Sequence, residues 1–312
     1  MKARWILTPI MTGLLLVGCA QSEESTTSNN ETTPNSEDFE VAFDGSIEHV
    51  HGMGYIENEE GLYLASHNGL RIYRDGQWLE ATEHANDYMG FNAVADGFYT
   101  SGHPGPGSMM QNPIGIQRSK DGGRSLDHMG FEGETDFHHM AVGYRSHHMF
   151  VMNPQENSQM GPGYFHSENE GQEWQQVSGS GLPSEVSAFA MHPSDSQLIA
   201  AASAEGVFLS EDGGDSFSPL TKDGIFGTAV FFNEDSLYFA TYGTQAELIN
   251  YTLETGNEQS IELPDLPEDG ILYIAQNPLQ KEQLTIYTAA GHAFIFEDDN
   301  WKQILNAGQV EQ

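Results

Sequence analysis

Cysteine is nearly missing from this 312-residue sequence, in which the one thiol is Cys19. No disulfide can close within the chain, so its fold must rest on packing alone. Cations are scarce too. Eleven Lys and Arg stand against 46 Asp and Glu, a formal charge of −35, which excludes nucleic acid as a partner and makes anionic surfaces repulsive. The acids are spread along the chain, as on a solvated surface; a cation-attracting field is the functional alternative. Past residues 6–16, no apolar run approaches the ~20 residues that a membrane helix needs. Helical periodicity is absent as well, which leaves strands.

The first nineteen residues read as an export signal. Lys2 and Arg4 supply the positive start, residues 6–16 the apolar stretch and Leu16-Val-Gly-Cys19 the small-residue end. That ending resembles the lipobox of bacterial lipoproteins, which implies cleavage before Cys19, a lipid on its thiol and a protein anchored at the extracytoplasmic face of the cell membrane. Residues 20–40 are almost entirely polar and read as a disordered tether, leaving 41–312 as a single domain.

The domain is built on a repeated turn. Ser119-Lys-Asp-Gly-Gly-Arg-Ser-Leu126, Ser167-Glu-Asn-Glu-Gly-Gln-Glu-Trp174 and Ser210-Glu-Asp-Gly-Gly-Asp-Ser-Phe217 share one template, spaced 48 and 43 residues apart. Asp121, Asn169 and Asp212 are suited to bond the backbone two residues on, and Gly123, Gly171 and Gly214 to take positive φ. Asp75-Gly-Gln-Trp78 and Asp298-Asp-Asn-Trp301 look like worn copies. Six apolar second strands align, at Leu62, Phe98, Met149, Leu198, Leu237 and Leu284, with first strands near His49, Tyr88, Phe137, Val186, Gly227 and Ile271. A period of this size predicts an all-β propeller of six four-stranded blades, seven being the alternative. The Phe39-Glu-Val-Ala-Phe43 segment is expected to close the ring against the last blade.

The three turns resemble the Asp boxes, or BNR repeats, of the sialidase-like propellers, a superfamily that also includes sortilin-type receptors and a photosystem II assembly factor. His49-Val-His-Gly, Ser101-Gly-His-Pro-Gly-Pro-Gly-Ser108 and Asp136-Phe-His-His-Met140 look more closely like a group of glycosyl-hydrolase-like bacterial lipoproteins. The resemblance implies Asp boxes between third and fourth strands, away from the active face. They specify the fold, not the chemistry.

The start of each first strand and the end of each second strand open on one face around the axis. That face collects His49, His51, His67, His103 and His138 as candidate metal ligands, with Glu48, Asp87, Asp136 and His139 as further ligand-binding candidates. Imidazoles with carboxylates suit Zn, Mn or Cu, and methionines in two loops of the same face, Met109, Met110 and Met160, add a case for copper. In a pleated strand His49 and His51 point to one side, whereas His138 and His139 point apart; His138 is favoured, and a one-residue slip would exchange it for His139.

The expected function is therefore binding at the channel mouth, with a divalent transition metal or copper as ligand. A glycoside hydrolase of the Asp-box class is the alternative, with Glu48, Asp87, Glu134 and Asp136 as its carboxylates; a scaffold for another exported protein is a third. Arginine-triad sialidase chemistry is excluded, because after the signal only Arg71, Arg74, Arg118, Arg124 and Arg145 remain and they do not converge.

Overall fold

A computed structural model describes residues 39–310. The expected export signal, Cys19 and most of the expected tether lie outside these residues. The described elements are strands grouped in six antiparallel sheets, each built on a meander of four consecutive strands, with a fifth strand at the outer edge of the first and of the last. The second strands show why such runs fold this way. Leu62–Ser66, Ile199–Ser203 and Leu284–Thr288 are buried at every position, as an uninterrupted apolar run must be when a sheet packs on both faces.

Six apolar clusters fill the spaces between sheets, one for each neighbouring pair. The cluster that joins Leu64 and Trp78 of the first sheet to Ile295 and Leu305 of the last makes the arrangement a ring. Six blades thus surround an axis lined by the inner strands Val50–Tyr55, Asp87–Val94, Met140–Val142, Ala188–Met191, Phe226–Phe232 and Ile271–Gln276.

Ring closure differs from expectation. Glu40–Ala42 pairs with Gln77–Ala81, the outer strand of the first blade, and does not reach the last. Closure is made by Ile47 N donating to Gly308 O at 2.8 Å and by a bridge between Ser46 and Gln309. The tether boundary also moves inward, since Phe39 is buried beneath the Arg124 guanidinium and Glu40 is ion-paired with Arg74 and Arg124. The fold begins no later than Phe39.

All three repeated turns join third strand to fourth, and the worn copies at Asp75 and Asp298 do likewise. In a meander this places them opposite the ends of the second strands. The reach of the acid differs from expectation: Asp121, Asn169 and Asp212 accept from backbone N–H groups four residues on, at 2.9 Å each, not two. The buried Ser119, Ser167 and Ser210 hydroxyls do the inner work, each accepting from the glycine N–H four residues on at 2.8–2.9 Å while donating to the acid or amide oxygen at 2.9–3.0 Å. A buried N–H without such a partner would cost about 1–3 kcal/mol, so the serine is as much part of the box as the aspartate.

Candidate metal centre

Two groups of three ligating atoms form on the face opposite the Asp boxes: His51, His67 and Asp87, and His103, His138 and Asp136. Within each group the atoms lie within 4.8 Å of one another. Both groups follow the blade repeat. His67 and His103 stand at the ends of second strands in successive blades, and Asp87 and Asp136 stand at or before the inner strand of the blade that follows. Each group therefore straddles a blade boundary, with its third member, His51 or His138, taken from one side or the other.

In the first group Asp87 lies between two imidazoles, with His67 Nδ1 2.9 Å from Oδ2 and His51 Nε2 3.5 Å from Oδ1. The longer separation is no hydrogen bond, and both of its atoms are buried and without a hydrogen-bond partner. Gly102 holds Asp87 in place. Its φ is +119°, and an added Cβ would lie 2.0 Å from the Asp87 carbonyl oxygen, so only glycine lets the two strands approach here. Burial pushes the His51 pKa below its ordinary value; Asp87 opposes this, and His67, His49 and His138 reinforce it. His138 belongs to the second group, so the two centres lie within electrostatic reach of each other.

In the second group Asp136 Oδ2 faces His138 Nε2 at 2.5 Å and His103 Nε2 at 3.2 Å, and Oδ1 is buried without a hydrogen-bond partner. His103 Nδ1 donates to Asn112 Oδ1 at 2.7 Å. The ring is thus held between an amide oxygen at Nδ1 and the Asp136 carboxylate at Nε2. An outer carbonyl that fixes the tautomer of an imidazole is what metal-ligating histidines use. Asn112 escaped the sequence reading. It lies nine positions past His103 in a Gly/Pro loop, and Asn-Pro after a histidine was its only signal.

The other candidates are placed differently. His49 is exposed in a left-handed conformation, φ 51°, just before the inner strand, and the register shifts between Val50 and Gly52. The pleat that was expected to align it with His51 does not exist; its ring lies 6.0 Å from that of His67, outside both groups. Glu48 is exposed and also outside both. His138 and His139 precede the strand Met140–Val142, so no pleat separates them. His139 instead packs edge-on against Phe189, its pKa lowered by burial and by His138. The five arginines are all ion-paired: Arg71 with Glu80, Arg74 and Arg124 with Glu40, Arg118 with Asp96 and Glu170, Arg145 with Glu57 and Glu234.

Two hollows meet these groups. The axial channel has a volume of about 270 Å³ and includes His51, His138 and His139 in its wall. A cleft of about 450 Å³ borders the second group, with Met152 and Gln155 across from His103 and His138.

No protein-family model matches the chain, and no curated protein matches it. Solved structures do. A GH74 xyloglucanase from Xanthomonas campestris aligns with TM-score 0.54 at 15% identity, over 85% of this chain and 46% of that one. An ancestral GH74 enzyme aligns with TM-score 0.51 at 16% identity, over 85% and 40%. YCF48 bound to D1 peptide aligns with TM-score 0.49 at 16% identity, over 85% and 84%. The chain is a six-bladed β-propeller. It spans less than half the length of either GH74 structure, and at such identities the likeness is one of fold, which carries no activity with it.

Proposed function

We propose that this propeller binds divalent transition metal at two centres on its channel face, one held by His51, His67 and Asp87 and the other by His103, His138 and Asp136. The observation that carries the reading is the repetition: the same strand-end histidine and the same acid recur one blade apart, each acid half-buried between two imidazoles. Metal bonds of about 2.0–2.1 Å set tetrahedral donors roughly 3.3 Å apart. The separations of 3.5 Å between His51 and Asp87 and 3.2 Å between His103 and Asp136 are close to that edge, and the shorter contacts need only to open. Imidazole with carboxylate suits zinc or copper(II); Met152 beside the second group extends its range toward copper.

Titrating chelator-stripped protein with zinc and with copper at neutral and acid pH tests this. Tight binding at neutral pH that weakens in acid is expected, because protons compete for the ligand nitrogens. Failure of both metals to bind at neutral pH would end the reading. The glycosidase alternative has less support: Asp87 and Asp136 are each engaged by two histidines, while Glu134 accepts from Ser158 N. A panel of chromogenic glycosides tests it. Attachment to a membrane through Cys19, kinship with the Asp-box propellers and a scaffold role toward another exported protein belong to the same proposal. They rest on the sequence motifs and the three hairpins, and membrane fractionation of Cys19→Ala tests the first.

A further inference from the structure

We infer that the axial channel is a binding site for a small organic molecule with an apolar, aromatic body and one anionic oxygen donor, the donor completing the coordination of a metal at the channel mouth. The inference rests on the metal reading and adds a ligand class to it. Three protein ligands leave a metal with an open position, the arrangement that binds exogenous molecules. His51 and His138 are at once members of the metal groups and part of the channel wall, so a molecule lying in the channel has a metal at its end. Behind them Phe91, Phe189, Phe231 and Tyr273 line a channel of about 270 Å³ together with polar Asn92, Asn233 and Gln276. Small-molecule sites combine apolar walls with placed polar groups at volumes from roughly 300 Å³ upward, and the size here suits one or two fused rings.

The opposite mouth is strapped. Arg145 of the third blade pairs with Glu57 of the first at 3.0 Å and with Glu234 of the fifth at 3.3 Å, which ties three alternate blades across the axis. Tyr144 adds a hydrogen bond to the Tyr55 carbonyl at 3.2 Å. Access is thus from the histidine face, past the metals. Charge favours the metal as the receiver: a chain of formal charge −35 repels a free anion, and of the cations that line the channel Arg145 is already held by Glu57 and Glu234, which leaves Lys281 as the competing partner.

The test uses 2-naphthoate as probe, followed by calorimetry on zinc-loaded and chelator-stripped protein. The expected result is one equivalent bound to the zinc-loaded form, at least roughly tenfold more tightly than to the stripped form, as one charge-assisted bond allows. Ala190→Phe, which fills the half-buried wall of the fourth blade away from both metal groups, should abolish naphthoate binding and leave zinc affinity unchanged. Retained zinc affinity reports that the variant folds; Ala188→Leu serves if it does not. Zinc binding without naphthoate binding, equal naphthoate affinity with and without zinc, or an unaffected Ala190→Phe each overturns the inference while the metal reading stands. Absence of zinc binding overturns both.

Discussion

The Tyr55 hydroxyl lies 2.7 Å from the Thr285 hydroxyl, 230 residues away in sequence, in a buried bond between the first blade and the last. Burial pushes the phenol pKa well up, so the hydroxyl stays neutral around neutral pH. Tyr55→Phe keeps the ring and leaves Thr285 without its partner. The expected cost is about 1 kcal/mol, read as a fall in Tm of roughly 2–4 °C by calorimetry.

Metal stoichiometry should divide by centre. Two zinc ions per chain are expected in the parent, one in His67→Ala, one in His103→Ala and none in the double variant, counted by elemental analysis after gel filtration. Asn112→Ala should weaken only the second centre, about 10–100-fold, as loss of an orienting partner does elsewhere.

Stability should fall below pH ~6.5 even with chelator present. Burial lowers the pKa of His166, with Glu168 opposing and His148 assisting, and it lowers that of His147 against the pull of Asp96. A folded value below the unfolded one means that the unfolded chain binds more protons. Stability is therefore complete above the unfolded value and is lost as pH drops from it toward the folded one. His166→Gln should flatten this slope in urea melts taken between pH 5 and 7; an unchanged slope would assign it to other groups.

Removing the inner hydroxyl of a repeated hairpin should be costly even though the hairpin joins strands at the surface. Ser210 is fully buried and satisfies Gly214 N, so Ser210→Ala leaves that N–H bare at a cost of about 1–3 kcal/mol. Chemical denaturation should show the same ordering for Ser119→Ala and Ser167→Ala.

Much of the fold was legible because a propeller buries its second strands on both faces, and a run such as Leu62-Tyr-Leu-Ala can then be aligned by eye. The blade count followed from those runs. First strands were harder. The third blade was expected to begin near Phe137 and begins at Met140, since residues 136–139 are held by side chains, with Phe137 N donating to Ser101 Oγ and His138 bonding Asp136, and not by a strand ladder. The same failure of regularity misplaced His49, whose left-handed backbone no alternation rule foresees. His67 and His103 were placed by the ends of the aligned second strands that begin at Leu62 and Phe98. Asn112 was not, because a loop sets its position and loops carry no period.

The outer strand Glu40–Ala42 decides where the propeller is pulled. A force on the chain ahead of residue 39 enters at the rim of the first blade, through a three-residue ladder and the Glu40 carboxylate clamped by Arg74 and Arg124. The bonds that close the ring, at Ile47 and Ser46, come later in the chain and carry none of that load until the ladder has peeled. Under such a force that ladder would open first, while the bonds at Ile47 and Ser46 and the six blades stay joined.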